Sequence, residues 1–179
     1  MMKIGTIETE RLILRKINSS DDEMMFLLDS NSNVHQYLGN KPVESIEESR
    51  QYIENIQIQY IKNGIGRFAV ILKETDEFIG WAGLKFNTDP INEHLNFYDI
   101  GYRLIEDYWG KGYGSEAAKA WLDCGYNQLK IQKICAYADV ENKGSINILK
   151  KIGLLSVSEF DDDGTPSIWL ELTKTDYLK

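Results

Sequence analysis

The amino-acid sequence predicts an α/β fold, a mixed and largely antiparallel sheet flanked by helices. Three observations support this. Strand-like apolar runs stand beside one another across short polar turns. Capping residues precede stretches whose apolar positions recur at helical spacing. One strand, a glycine-rich loop, a helix and a second strand follow in succession, as a right-handed crossover between parallel strands requires.

Taken in chain order, RLILRKI (11–17) reads as the first strand. SDDE (20–23) has the form of a capping box, with Ser20 as N-cap and Glu23 three residues on, and a short helix over 24–28 follows. SIEE (45–48) repeats the pattern; Ile46, Ile53, Ile56 and Tyr60 then fall on one helical face, and Asn63-Gly64 is the stop. RFAVIL (67–72) and FIGWAGLKF (78–86) form an antiparallel hairpin across the polar turn 73–77, and NFYDIGYRLI (96–105) is a third strand of this block. A helix over 115–126 follows the glycine loop, then a strand KICAYADV (133–140) and a helix NKGSINILKKIG (142–153) that stops at Gly153. LLSVSEF and SIWLELT close the chain as two strands around the DDDGTP turn. Pro42, Pro90 and Pro166 all fall in turns.

The 179 residues are 42% hydrophobic and 27% charged, which suits a single globular domain over 1–179. A net charge of -8 and a pI near 4.8 argue against a nucleic-acid partner, because a basic surface supplies most of that affinity. MMKIGTIETER has no apolar signal region, and no apolar run approaches the ~20 residues of a membrane span. Cys124 and Cys135 form no CxxC, and His35 and His94 have no ligand spacing, so no metal site and a reduced, cytoplasmic protein are expected.

The stretch DYWGKGYGSEA (107–117) carries the chemistry. Gly110, Gly112 and Gly114 free the backbone to turn and clear space for a ligand, Lys111 adds a charge, and a helix start offers convergent N–H groups. The other reading is a plain glycine-rich turn. A Walker A loop requires GxxxxGK[ST], and no Lys-Ser/Thr pair closes this one. A dinucleotide fingerprint requires GxGxxG with several βαβ units; here the glycines run GxGxG with one crossover.

WGKGYG (109–114) resembles the coenzyme A pyrophosphate loop of the GNAT N-acetyltransferase superfamily, Q/R-x-x-G-x-G/A, with Gly112 and Gly114 in the small positions and Trp109 replacing Gln/Arg. YWGKGYGSEA, ETERLILR, FIGWAGL and DIGYRLIEDYWGKG are similar to the subgroup that includes the ribosomal-protein alanine and serine N-terminal acetyltransferases. The resemblance spans about residues 8 to 175. It implies the GNAT fold, in which the one parallel pair splays apart. It also implies that backbone amides of Trp109, Gly110, Lys111, Gly112, Tyr113, Gly114 and Ser115 bind the pyrophosphate of acetyl-CoA, with the Ser115 hydroxyl adding to them. The pantetheine arm would lie along 96–105 and meet the main chain of Leu104 and Ile105.

ADVENKGSINILKKIGL (138–154) resembles the family's second CoA motif, with Asn142 and Ser145 at its marked positions. Asn142 is equally suited to cap the helix. Leu149 stands where the family often has the Tyr that protonates the leaving thiolate. Ser145 or Tyr137 would then substitute, or the thiolate leaves unaided, since a thiol pKa of about 8.5 makes it a tolerable leaving group. Asp99 falls where relatives carry a Glu or Asp that takes the proton of the amine; the alternative is a solvated strand face. Trp81, Phe97, Tyr98, Tyr102 and Tyr108 cluster near the expected substrate entrance, mostly as packing, and Cys124 reads as a buried apolar residue rather than a nucleophile.

The activity implied is transfer of acetyl from acetyl-CoA to a primary amine by direct attack in a ternary complex. The acceptor is a protein N-terminus, a polyamine, an amino acid or an aminoglycoside, and relatives act as monomers or homodimers. The alternative is a catalytically silent acyl-CoA-binding or regulatory protein on the same fold; a nucleotide-binding domain stays open on the loop alone.

Overall fold

The computed structural model describes residues 4–179. One eight-stranded sheet runs β1 (Ile7–Glu8), β2 (Leu12–Lys16), β3 (Arg67–Leu72), β4 (Glu77–Asn87), β5 (Phe97–Leu104), β6 (Lys133–Asp139), β8 (Thr165–Thr173) and β7 (Leu155–Asp162) in spatial order. Every neighbouring pair is antiparallel except β5 and β6. The hairpin of β3 and β4 and the strands around the last turn form as the sequence predicts.

Helices cover both faces. On one side α4 (Tyr113–Asp123) and α5 (Lys143–Lys151) pack with Leu12, Leu14, Phe68, Leu84, Ile100 and Trp121. On the other, α1 (Asp22–Asp29), α2 (Ser32–His35) and α3 (Ile46–Asn63) pack on Ile17, Ala69, Ile71 and Trp81. β3 shows why two layers form. Phe68 and Val70 enter the first core, Ala69 and Ile71 the second, and all six of its residues are buried. A strand buried on both faces reads as a continuous apolar run, as RFAVIL does.

Local signals decide the helix ends. At α3 the Ser45/Glu48 capping box is present and Gly64 stops the helix at φ 72°. The first capping box differs from expectation. Asn18 caps a 3₁₀ turn, Ser19–Asp21, and Asp21 accepts from the Asn18 N–H at 2.9 Å. Asp21 also binds Arg15 at 2.6 Å, a second partner that Glu23 lacks, so the box sits two residues early and α1 begins at Asp22. The helix after the glycine loop begins at Tyr113 rather than 115. It ends in a π turn, Cys124–Gln128.

The feature that positions the site is the β5–β6 pair. The strands match only at Tyr98↔Ile134 and Asp99↔Cys135. β5 runs on to Leu104 and β6 to Asp139 without pairing, so they splay and leave a gap. The Ile105 N–H donates to Ile79 O at 3.0 Å, on the β4 side. By strand alternation the N–H groups of Leu104 and Tyr102 point the other way, into the gap.

Candidate active site

The loop comes first in the chain's own order. After β5 a 3₁₀ turn, Glu106–Tyr108, reverses the backbone and is tied to the start of α2, where Asn31 and Asn33 donate to the Glu106 carboxylate at 2.9 Å. Gly110 and Gly112 then adopt φ of 72° and 85°, which only glycine adopts at little cost. Gly112 is the N-cap of α4 and supplies no side-chain cap. The first N–H of the helix to find a backbone partner is that of Glu116, at 3.1 Å from Gly112 O. The amides of Tyr113, Gly114 and Ser115 ahead of it are left for an external acceptor, where the helix dipole favours an anion.

A second cation at this loop escaped the sequence reading. Arg11 of the N-terminal segment donates to Lys111 O at 3.0 Å, lies 4.5 Å over the Tyr113 ring and is fixed by Glu116 at 2.7 Å. Nothing local to ETERLILR signals this, because the partners are 105 residues apart. Lys111 Nζ sits 5.3 Å over the Tyr108 ring.

Three expectations for the loop change. The Trp109 N–H donates to Glu106 O at 3.0 Å and the Ile105 N–H to Ile79 O, so neither main-chain group is free to meet a ligand. Trp109 acts through its side chain instead: Nε1 donates to Leu104 O at 2.7 Å and locks the end of β5. A Cβ on Gly114 would come within 3.3 Å of Ile148 Cδ1, so the third glycine lies against α5 and its side faces packing rather than a ligand.

The gap holds the next group. The Tyr102 hydroxyl donates to Ser145 O at 2.9 Å and lies 3.2 Å from Ser145 Oγ, joining β5 to the first turn of α5. Burial pushes this phenol well above its ordinary pKa. Asn142 Oδ1 accepts the Ser145 N–H at 3.0 Å, so the capping role of Asn142 is real. Leu149 points into the core, 2% exposed.

On the opposite face Asp99 is 7% exposed, which removes the solvated-face alternative. Its two oxygens accept from Arg67 Nη2 at 3.0 and 2.9 Å, and Arg67 Nη1 also reaches Gly83 O. Trp81 stands between two guanidinium groups, those of Arg67 and Arg103 at 5.4 and 5.1 Å. Arg103 Nη1 in turn donates to Asp29 Oδ1 at 2.6 Å. Tyr137 belongs to this face. Its phenol is pushed up to about 12 by burial first, then by Asp99 and Asp162. Burial raises the Cys124 thiol to about 11, as befits a core residue rather than a nucleophile.

An uncapped, glycine-started helix thus lies beside a splayed parallel pair, and the model for the acetyltransferase (GNAT) domain matches residues 11–155 of this sequence. The chain belongs to the GNAT acetyltransferase family. An uncharacterized N-acetyltransferase of Bacillus licheniformis, p20, is 35% identical over 147 residues, 82% of this chain and 80% of that protein. Spermidine N(1)-acetyltransferase of Escherichia coli K12 is 30% identical over 142 residues, 78% of this chain and 70% of that one. The solved GNAT-family acetyltransferase of Bacillus anthracis superposes with a TM-score of 0.80 at 26% identity, covering 95% of this chain and 99% of the other.

Within this GNAT chain the three expected catalytic residues do not form one cluster. Ser145 lies with Tyr102 on the α4–α5 side of the sheet. Asp99 and Tyr137 lie on the other side, where Tyr137 packs with Trp169 and Phe160. Strand alternation alone separates Tyr137 from the residues Ile134 and Ala136 that face α4. Tyr102 carried a signal, an aromatic in DIGYRLI, but nothing in the sequence separates a packing tyrosine from one that spans the gap to Ser145.

Proposed function

We propose that this protein transfers the acetyl group of acetyl-CoA to a primary amine, with both bound together and the amine attacking directly. The observation that carries the reading is the set of free amides at the uncapped start of α4, over left-handed Gly110 and Gly112, opening beside the β5–β6 gap. The loop fits a diphosphate. Its glycine at 110 has no heavy atom within 4 Å of where a Cβ would stand, and Arg11 and Lys111 supply positive charge.

Residues 110–115 would hold the pyrophosphate and the Leu104 N–H would face the thioester oxygen, a donor aimed at developing negative charge. Ser145 and Tyr102 line the gap on the leaving-group side. Asp99 enters as a positioning group, since Arg67 occupies both of its oxygens and so fixes β5. The acceptor amine would come from the α1–α3 side, where Arg103 borders a cavity. A polycationic amine suits an acidic chain of net charge -8, and a relative at 30% identity carries the name of a spermidine acetyltransferase.

The deciding assay follows acetyl-CoA-dependent thiol release over a panel of polyamines, amino acids, aminoglycosides and peptide N-termini. Calorimetry with acetyl-CoA runs beside it, with ATP and NAD as controls. Micromolar acetyl-CoA binding with turnover on at least one amine is the expected result. Tight binding with no turnover on any amine would favour the second reading, a silent acyl-CoA-binding protein, for which Leu149 in place of the usual acid is the supporting feature. Binding of ATP or NAD instead would remove the CoA assignment.

A further inference from the structure

His35 ends α2 with its side chain 9% exposed, yet neither ring nitrogen has a hydrogen-bond partner among the described residues. The ring has only a long contact to Asp29 and the main chain of Lys41 near it, so it keeps hydrogen-bonding capacity for a partner from outside the chain. The imidazole lines a cavity of about 410 Å³ open to solvent, together with Asp29, Glu48, Tyr52, Asn55 and Arg103.

The groups around the ring come from every element packed on it. From α1, Asp29 places Oδ1 3.6 Å from Nε2, just beyond hydrogen-bond reach. From β5, Arg103 occupies the same Oδ1 at 2.6 Å. From α3 come Glu48 and the half-buried Tyr52, and from the loop after α2 the main chain of Lys41. Burial first, then Arg103, lowers the imidazole pKa below its ordinary value, and the opposing pull of Asp29 is weaker. The ring is therefore neutral at pH 7, with a lone pair available. Arg103 precedes Leu104, so the cavity and the β5–β6 gap share the last residues of β5.

We propose that His35, backed by Asp29, takes the proton of an acceptor amine that enters through this cavity. The inference rests on the acetyltransferase reading above. Asp99 has both oxygens engaged by one guanidinium, whereas His35 has no close hydrogen bond and only a 3.6 Å contact to Asp29. In the step, the amine, having lost its ammonium proton to solvent, bonds through nitrogen to the acetyl carbon and the carbon–sulfur bond of the thioester breaks. The nitrogen's proton passes to the imidazole, and the coenzyme leaves as a thiolate. The imidazolium, next to Asp29, then returns that proton to the thiolate through solvent, which restores the neutral ring and leaves amide plus thiol.

The test pairs kinetics with a readout that needs no turnover. His35→Gln should lower kcat/KM for the amine about 100-fold, the lower end of the range for a positioned base, with the KM for acetyl-CoA unchanged. The inflection that His35 contributes to the acid limb of the wild-type kcat/KM profile should disappear in this variant, leaving the rise set by deprotonation of the amine itself, and added imidazole should restore part of the activity of His35→Ala. In the wild-type protein, the ¹⁵N resonances of the His35 ring should shift when spermidine or butylamine is added. An active wild type whose His35→Gln variant keeps both its rate and that inflection would overturn the inference and leave the acetyltransferase reading intact. Unmoved His35 resonances at saturating amine would overturn it as well. A wild type silent toward every amine would sink that reading, and the base role with it. If His35→Ala does not fold, His35→Gln and the wild-type resonances still decide the matter.

Discussion

Asp99 and Arg67 show how a buried ion pair can serve a site without reacting. Each is 7% exposed, and the single nitrogen Arg67 Nη2 donates to both Asp99 oxygens. Such pairs contribute little net stability, because both ions are desolvated, but removing one partner strands the other. Asp99→Asn should therefore cost about 3–5 kcal/mol in urea unfolding, and Arg67→Met a similar amount. The double variant should recover part of the loss, a coupling that a double-mutant cycle measures. If Asp99→Asn unfolds like the wild type and still loses turnover, Asp99 acts on the substrate rather than on β5. Asp99 was visible as a candidate in YDIGY; its partner was not. Arg67 opens RFAVIL, 32 residues away, where a charge at a strand start reads as an exposed end. The same limit hid His35, a lone histidine in a polar stretch whose neighbours Asp29 and Arg103 come from different elements.

The glycine loop was the most legible element, and its three glycines divide into two uses. Gly110 and Gly112 are required by backbone conformation, whereas Gly114 is helical and lies against Ile148 of α5. Gly112→Ala places a Cβ at φ 85°, 3.4 Å from Arg11 Nη2, and should cost about 1–2 kcal/mol of strain. Because that strain falls on the amides that would meet the pyrophosphate, acetyl-CoA affinity should drop about tenfold in calorimetry. Gly114→Ala, at a helical φ, should instead change acetyl-CoA binding little. Equal effects of the two on affinity would contradict this division. The loop could be found from sequence because turning glycines and a helix start are consecutive in the chain. Its boundary was missed by two residues because the helix starts inside the glycine run, at Tyr113.

The molecule closes around the loop through the N-terminal segment. Glu116 of α4 accepts from the Thr9 hydroxyl at 2.6 Å and from the Arg11 main chain and guanidinium at 2.9 and 2.7 Å. Burial alone would raise the Glu116 pKa, but these donors outweigh it and hold it below the usual 4.5. A carboxylate with a lowered folded pKa stabilises the protein above its unfolded pKa. That contribution fades as pH falls through the folded value. Glu116→Gln should thus cost about 2 kcal/mol at pH 7, and the difference from wild type should shrink steadily below about pH 4.5. Urea unfolding of both proteins from pH 7 to pH 3 measures it; a difference independent of pH would mean that shape, not charge, holds the segment. Among the described residues no helix is long and apolar enough to cross a membrane.

Short-range chemistry was readable along the chain. Apolar runs on either side of a polar turn gave the β3–β4 hairpin, Ser45, Glu48 and Gly64 bounded α3, and WGKGYG marked the loop, because each signal acts within a few residues. Tertiary structure alone decided which face each candidate occupies. It set Ser145 beside Tyr102, turned Tyr137 toward Asp99, gave Asp99 to Arg67 and Arg11 to Glu116, and drew Asp29, His35 and Arg103 together. These outcomes depend on sheet order and on where β5 and β6 part, and both are set by the packing of two cores that no local pattern encodes.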